Sequence, residues 1–146
     1  MLTANQEQVG GTHYKTEYEH WDLAIFLDMG CLEYTTTKHV TRWRKKDGVK
    51  DLLKALHELE KLIEVYSIYN IHRTQKPEKI TEEVDKFAKA NGLDSVERRY
   101  ILILCSYAGL EDLYEARRVL RILIEAANNR PGTPEDGGHH ARQAAD

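Results

Sequence analysis

Apolar residues along the chain recur mostly at intervals of three and four, the spacing of a helix with one buried face. The clearest stripe is Leu52, Leu56, Leu59, Ile63 and Tyr66, which predicts a helix from Val49 to about Asn70. Trp21–Met29 (WDLAIFLDM) predicts a short apolar helix, with Gly30 placed to close it in a left-handed cap. The threonines and valine of Glu33–Lys46 would suit a strand, but its length and the i, i+4 spacing of Lys38 and Arg42 favour a helix. Asp47-Gly48 then breaks the chain, and Asp47 is suited to N-cap the long helix that follows. On that helix Lys54 and Glu58 are spaced as an i, i+4 pair. Beyond a connector at 71–79, further helices are predicted at Thr81–Ala90, Val96–Ala108 and Leu110 to about Asn128. The expectation is an all-α fold: a compact domain of about six helices over 21–128, between an N-terminal arm (1–20) and a tail (129–146). The tail is rich in Gly, Pro, Asn and charge and is expected to be disordered.

The two halves of the domain, 21–70 and 80–128, read as related three-helix units. Residues 48–64 (GVKDLLKALHELEKLIE) and 109–125 (GLEDLYEARRVLRILIE) are identical at Gly48/Gly109, Asp51/Asp112, Leu52/Leu113, Ala55/Ala116, Leu59/Leu120, Leu62/Leu123, Ile63/Ile124 and Glu64/Glu125. Upstream, Gly30-x-Leu32 aligns with Gly92-Leu93 across a one-residue gap. The middle helices differ sharply. TKHVTRWRKKDG precedes Gly48 and is cationic, whereas ERRYILILCSYAG precedes Gly109 and is apolar. The first unit is therefore expected to carry the chemistry, and the second to serve as scaffold or subunit contact.

Composition narrows the class. The 146 residues are 41% hydrophobic and 31% charged with a net charge of −3, an ordinary globular balance that argues against a general nucleic-acid binder. Cys31 and Cys105 form no metal or redox motif and read as reduced thiols acting as small hydrophobes. The start of the chain has neither a basic segment nor an apolar run, and no stretch is apolar enough for a membrane span. A cytoplasmic protein with no membrane partner is expected.

Against that near-neutral background, Lys38, Arg42, Arg44, Lys45 and Lys46 place five cations in nine residues. Helical spacing puts Lys38, Arg42 and Lys45 on one face and Arg44 to the side. Arg offers a bidentate fork to phosphate and Lys a mobile point charge, so this face suits an anionic ligand; a solvated basic surface is the plainer alternative. Gly10-Gly11 would let main-chain N–H groups approach a phosphate, although GGTHYKT is not a P-loop. His13-Tyr14 adds a titratable ring and an aromatic hydroxyl. Trp21 or Trp43 could stack on a base, though burial is the commoner fate of tryptophan. HELEK at 57–61 is not a zinc motif, and the paired E-x-x-E helices of MazG-type pyrophosphohydrolases are missing, so no metal ligands are assigned.

The same residues carry a family resemblance. Val9-Gly10-Gly11-Thr12-His13-Tyr14-Lys15, His20-Trp21-Asp22, Gly30-x-Leu32-Glu33, Lys38-x-Val40-Thr41-Arg42-Trp43-Arg44-Lys45-Lys46-x-Gly48 and Asp51-Leu52-x-Lys54-Ala55 follow one another in the order of a family of small bacteriophage proteins. That family, of unknown function in most members, includes the T7-type phage nucleotide kinase, and the resemblance covers about residues 9–64. Where the family usually has K-Y-V and H-Y-L, this chain has Lys38-His39-Val40 and His57-Glu58-Leu59. The resemblance implies phosphoryl transfer from a nucleoside triphosphate to a deoxynucleoside monophosphate, without a P-loop and with Mg²⁺ as a conceivable companion of the triphosphate. It makes His13, Tyr14, Arg42 and His57 the candidate catalytic residues. Gly10, Gly11, Lys15, Lys38, Arg42, Lys45 and Lys54 become the candidate phosphate and nucleotide ligands, with Lys54 and His57 expected in the same pocket. A homo-oligomer is expected, since an apolar second half favours self-association. The alternatives are a non-catalytic nucleotide-sequestering protein, a MazG-like pyrophosphohydrolase, and a helical adapter that binds a host protein.

Overall fold

A computed structural model describes residues 4–6, 16–69 and 77–130. Among these the chain forms α1 (His20–Phe26), α2 (Cys31–Arg42), a 3₁₀ turn (Trp43–Lys45), α3 (Val49–Tyr69), α4 (Pro77–Ala90), α5 (Ser95–Ser106) and α6 (Leu110–Asn128), with no strand. The expected all-α fold is the one observed, including a helix where the threonine-rich segment could have been a strand. The GGTHYK segment, most of the connector and residues 131–146 lie outside the described residues.

Each unit contributes three helices, the middle one of twelve residues in both, and each helix packs on its counterpart: α1 on α4, α2 on α5, α3 on α6. The long pair forms the centre. Leu52, Ala55, Leu59 and Leu62 of α3, and their identical counterparts Leu113, Ala116, Leu120 and Leu123 of α6, are all buried. The repeated leucines are therefore core positions, each stabilising by about 1.5–3 kcal/mol. Ile101 and Leu104 of α5 are fully enclosed, as a scaffolding second unit requires.

Hydrogen bonds fix the register between units. Leu27 N–H donates to Leu23 O, Asp28 N–H to Ile25 O and Met29 N–H to Ala24 O; Asn91, Gly92 and Leu93 repeat these bonds to Phe87, Lys89 and Ala88. The left-handed residue of the first turn is Asp28 (φ 49°), matched by Gly92 (φ 64°). Gly30 is thus not the left-handed cap. It has φ −69° and is the N-cap of α2, matched by Asp94 of α5. Positions 20–43 consequently correspond to 84–107, a shift that pairs Gly92 with Asp28 and not with Gly30.

Two buried carboxylates complete the symmetry. Glu33 accepts from the Tyr107 hydroxyl at 2.6 Å, and its counterpart Glu97 accepts from Trp43 Nε1, the counterpart of Tyr107, at 2.8 Å. Reciprocal contacts of this kind are the mark of a two-fold relation. Between them Tyr100 and Thr36, themselves counterparts, meet at 2.5 Å. The Thr36 hydroxyl donates to Ala55 O, so Tyr100 is the donor of that bond. After Trp43 the register changes, because Gly48 matches Gly109. The first unit carries three extra residues here, and they belong to the cationic run.

Other local expectations differ from the structure. Asp47 does not cap α3, which begins at Val49 after Gly48 (φ 60°); it pairs with Lys54 at 3.5 Å. Lys54 does not pair with Glu58, which bonds His39 Nδ1 at 2.8 Å across the α2–α3 interface. Cys105 is buried as expected of a small hydrophobe, but Cys31 is exposed at the first turn of α2.

Candidate functional site

The basic face of α2 forms one wall of a small open cleft with a cavity volume of about 50 Å³. Lys38, Thr41 and Arg42 come from α2 and Lys45 from the 3₁₀ turn; Thr16, Glu19 and His20 face them, and Asn91 closes the far end. The segment leading into α1 is held in place by short polar bonds. Asn91 Nδ2 donates to Tyr18 O at 2.9 Å, the Thr16 hydroxyl donates to the same carbonyl at 2.7 Å, and Tyr18 OH donates to Glu83 Oε2 at 2.8 Å. Burial and the Glu83 carboxylate push the Tyr18 phenol up, so that it stays a donor.

The three cations are held differently. Arg42 makes a forked pair with Asp51, Nε to Oδ2 and Nη2 to Oδ1, both at 3.2 Å. Asp51 sits in the first turn of α3 and is fully buried, with Lys54 Nζ at 3.8 Å and His39 Nε2 at 4.0 Å as further neighbours. Asp112, its counterpart in α6, is exposed and accepts from Ala108 N–H, so the shared aspartate serves two different ends. Lys38 lies over the Tyr34 ring with Nζ 5.7 Å from its centroid, and Lys45 is exposed. Among the described residues neither lysine has a carboxylate partner. Arg44 stands apart: it bonds Asp94 Oδ2 at 2.9 Å and also Glu97, tying the 3₁₀ turn to the N-terminus of α5.

In sequence His20 appears only within the His20-Trp21-Asp22 stretch of the resemblance, with no role assigned to it. It opens α1, lines the cleft, and accounts for the one buried side-chain polar atom, Nδ1, without a partner among the described residues. Burial, with a smaller contribution from Lys38, pushes its imidazole down to about 3, so the ring is neutral at physiological pH.

The cleft thus brings together Lys38, Arg42 and Lys45. Lys54 reaches it only indirectly, through Asp51. His57 does not join it: His57 lines a separate recess with Glu58, Glu60, Lys61, Glu64 and Leu32, because its place on α3 points past the side of α2 opposite the cations. Gly10, Gly11, His13, Tyr14 and Lys15 lie outside the described residues. Trp43 is buried and committed to Glu97, whereas Trp21 is exposed and donates to Asn5 Oδ1 at 2.7 Å. Among the described residues no group of His, Cys, Asp or Glu is placed to hold a metal ion, and no helix is long and apolar enough to cross a membrane. Compared with protein-family models, curated proteins and solved structures, the chain has no significant match.

Proposed function

We propose that this protein is a nucleotide-binding phosphotransferase, moving a phosphoryl group from a nucleoside triphosphate to a deoxynucleoside monophosphate. The observation that carries the reading is the convergence of Lys38, Arg42 and Lys45 on one cleft, with neither lysine paired to a carboxylate among the described residues. Phosphoryl transfer asks little covalent chemistry of a protein; positioning and charge neutralisation supply most of the catalysis. In this reading Lys38 and Lys45 neutralise phosphate oxygens, and the buried Asp51 holds the Arg42 fork in one orientation. The GGTHYK segment precedes Thr16 directly in the chain, and Thr16 lines the cleft. In this reading Gly10-Gly11, His13, Tyr14 and Lys15, which lie outside the described residues, serve as further phosphate and acceptor ligands.

Two of the departures from the phage family's pattern, the lost tyrosines, also fit. His39 and Glu58, which stand where that family has tyrosines, bond each other at 2.8 Å between α2 and α3, and neither lines the cationic cleft. Together they are a paired exchange at a helix interface.

The test offers dTMP or dGMP with ATP, with and without Mg²⁺, and resolves the products by ion-exchange chromatography. Diphosphate should form, and should be lost in Lys38→Ala/Lys45→Ala at an unchanged urea midpoint. Nucleotide binding without product would make the protein a sequestering binder. Monophosphate and pyrophosphate released from the triphosphate would make it a hydrolase.

A further inference from the structure

The cleft contains a feature that a simple anion trap would not have. Thr37 has a single hydroxyl proton, and its nearest acceptor is Glu33 O at 2.6 Å, the back-bond of a threonine inside a helix. With that proton committed, Thr37 Oγ1 accepts from His20 Nε2, 2.8 Å away. The proton of the neutral ring is therefore on Nε2, and Nδ1 is a bare lone pair. It is buried, has no partner among the described residues, and belongs to a residue lining the cleft.

The fold does not require a polar residue at this place. The counterpart of His20 in the second unit is Val84, fully buried at the equivalent turn of α4. Leu23 and Ala24, which follow His20, match Phe87 and Ala88, all of them buried. A position that the repeat fills with valine thus carries an imidazole with an unsatisfied nitrogen, which costs stability unless something pairs with it.

We propose that His20 Nδ1 accepts a hydrogen bond from a hydroxyl of the ligand, so that the cleft selects anions carrying an O–H donor beside the phosphate held by Lys38 and Lys45. The inference rests on the phosphate-binding reading above and refines its substrate class. A bare lone pair repels a fully ionised phosphate oxygen and attracts a hydroxyl. That hydroxyl is either on the sugar of a nucleoside monophosphate or on the phosphate itself in its singly ionised form. His20 is a specificity residue and not a general base, because an imidazole whose protonation is pushed down to about 3 is too weak a base to remove a sugar proton.

Calorimetric titration of the full chain tests this with three probes: dTMP, 3′-deoxythymidine monophosphate, and inorganic phosphate on either side of its second ionisation. A buried acceptor left unpaired predicts that dTMP binds roughly tenfold more tightly than the 3′-deoxy compound, and that His20→Val abolishes the difference. If the preference instead appears as tighter binding of singly over doubly ionised phosphate, and His20→Val removes that, the hydroxyl is the phosphate's own. Equal binding of both thymidine nucleotides together with indifference to phosphate ionisation overturns the proposal and leaves the phosphate site standing, as does a preference that survives His20→Val. Failure of every probe to bind overturns the phosphate site and this inference together. Nitrogen-15 NMR of the unmutated protein gives a second readout, independent of how the variant folds. The His20 Nδ1 resonance should start as that of an unprotonated ring nitrogen and move on saturation with dTMP; a resonance that stays put overturns the proposal.

Discussion

Replacing Arg42 by alanine is the obvious way to probe the cationic cleft, yet its largest effect should be on folding. Asp51 is fully buried, and the Arg42 fork supplies both of its hydrogen bonds to a guanidinium. Removing one partner of a buried pair leaves an uncompensated charge and typically costs about 3–5 kcal/mol. Lys54 at 3.8 Å and His39 at 4.0 Å still face Oδ1, so the lower end of that range, about 3 kcal/mol, is expected here. Asp51→Leu in the Arg42→Met background should recover most of the loss, because replacing both partners of a buried pair by apolar groups removes the desolvation cost along with the attraction. The measurement is urea denaturation followed by far-UV circular dichroism on the parent, the two single variants and the double variant, at constant m-value. An Arg42→Ala protein within about 1 kcal/mol of the parent would refute the reasoning, since that is the value of an exposed pair and not a buried one. Lost nucleotide binding in Arg42→Ala would therefore say little about phosphate contact, which is why the functional test above uses the lysines.

Two further outcomes follow from the repeat and from His20. Asp28 holds a left-handed conformation that its counterpart fills with Gly92, so Asp28→Gly should stabilise the protein by roughly 1 kcal/mol, read as a raised urea midpoint; no gain would mean that the Asp28 side chain compensates its own strain. The folded-state imidazole of His20 is pushed from 6.5 down to about 3 by burial, so the unfolded chain binds the extra proton between those values. Its contribution to stability is fully present above pH 6.5 and falls as pH drops towards 3, with a slope of up to about 1.4 kcal/mol per pH unit. His20→Val should flatten the stability profile over that window and leave it unaltered above; parallel profiles for parent and variant would contradict the burial argument.

Helix positions were legible because the apolar stripes are long and regular; Leu110–Asn128 in particular coincides with its expected span. The cationic face was legible too, since Lys38, Arg42 and Lys45 follow helical spacing and do line one cleft. What escaped was tertiary. Aligning glycines paired Gly30 with Gly92, but the structural counterpart of Gly92 is an aspartate in a left-handed turn, which a match by residue type cannot find. The change of register inside the cationic run was equally hidden. His20 stood inside a resemblance motif without a role, because its oddity appears only beside Val84. His57 was grouped with Lys54 on the strength of the resemblance, and the helix carries the two to different places.

The repeat turns these details into one argument about where chemistry resides. In the second unit the counterparts of His20, Lys38, Thr41 and Arg42 are Val84, Leu102, Cys105 and Ser106, and the counterparts of the inserted cationic residues do not exist. Val84 and Cys105 are buried and Leu102 packs against the core, so the second unit satisfies the fold with ordinary apolar packing at three of these places, while Ser106, the counterpart of Arg42, is exposed. The first unit keeps the same backbone hydrogen bonds and the same central leucines while installing cations and a histidine. Packing alone therefore does not account for His20 and Lys38, since an apolar solution to those two positions exists in the same molecule, whereas Arg42 is tied into the fold through Asp51. Asp51 reinforces the point: a capping-type aspartate at the start of a long helix is common to both units, but only in the first has it been drawn inside to hold an arginine. His20 and Lys38 thus stand where the other unit packs a valine and a leucine, and both line the cleft on which the proposed phosphate site rests.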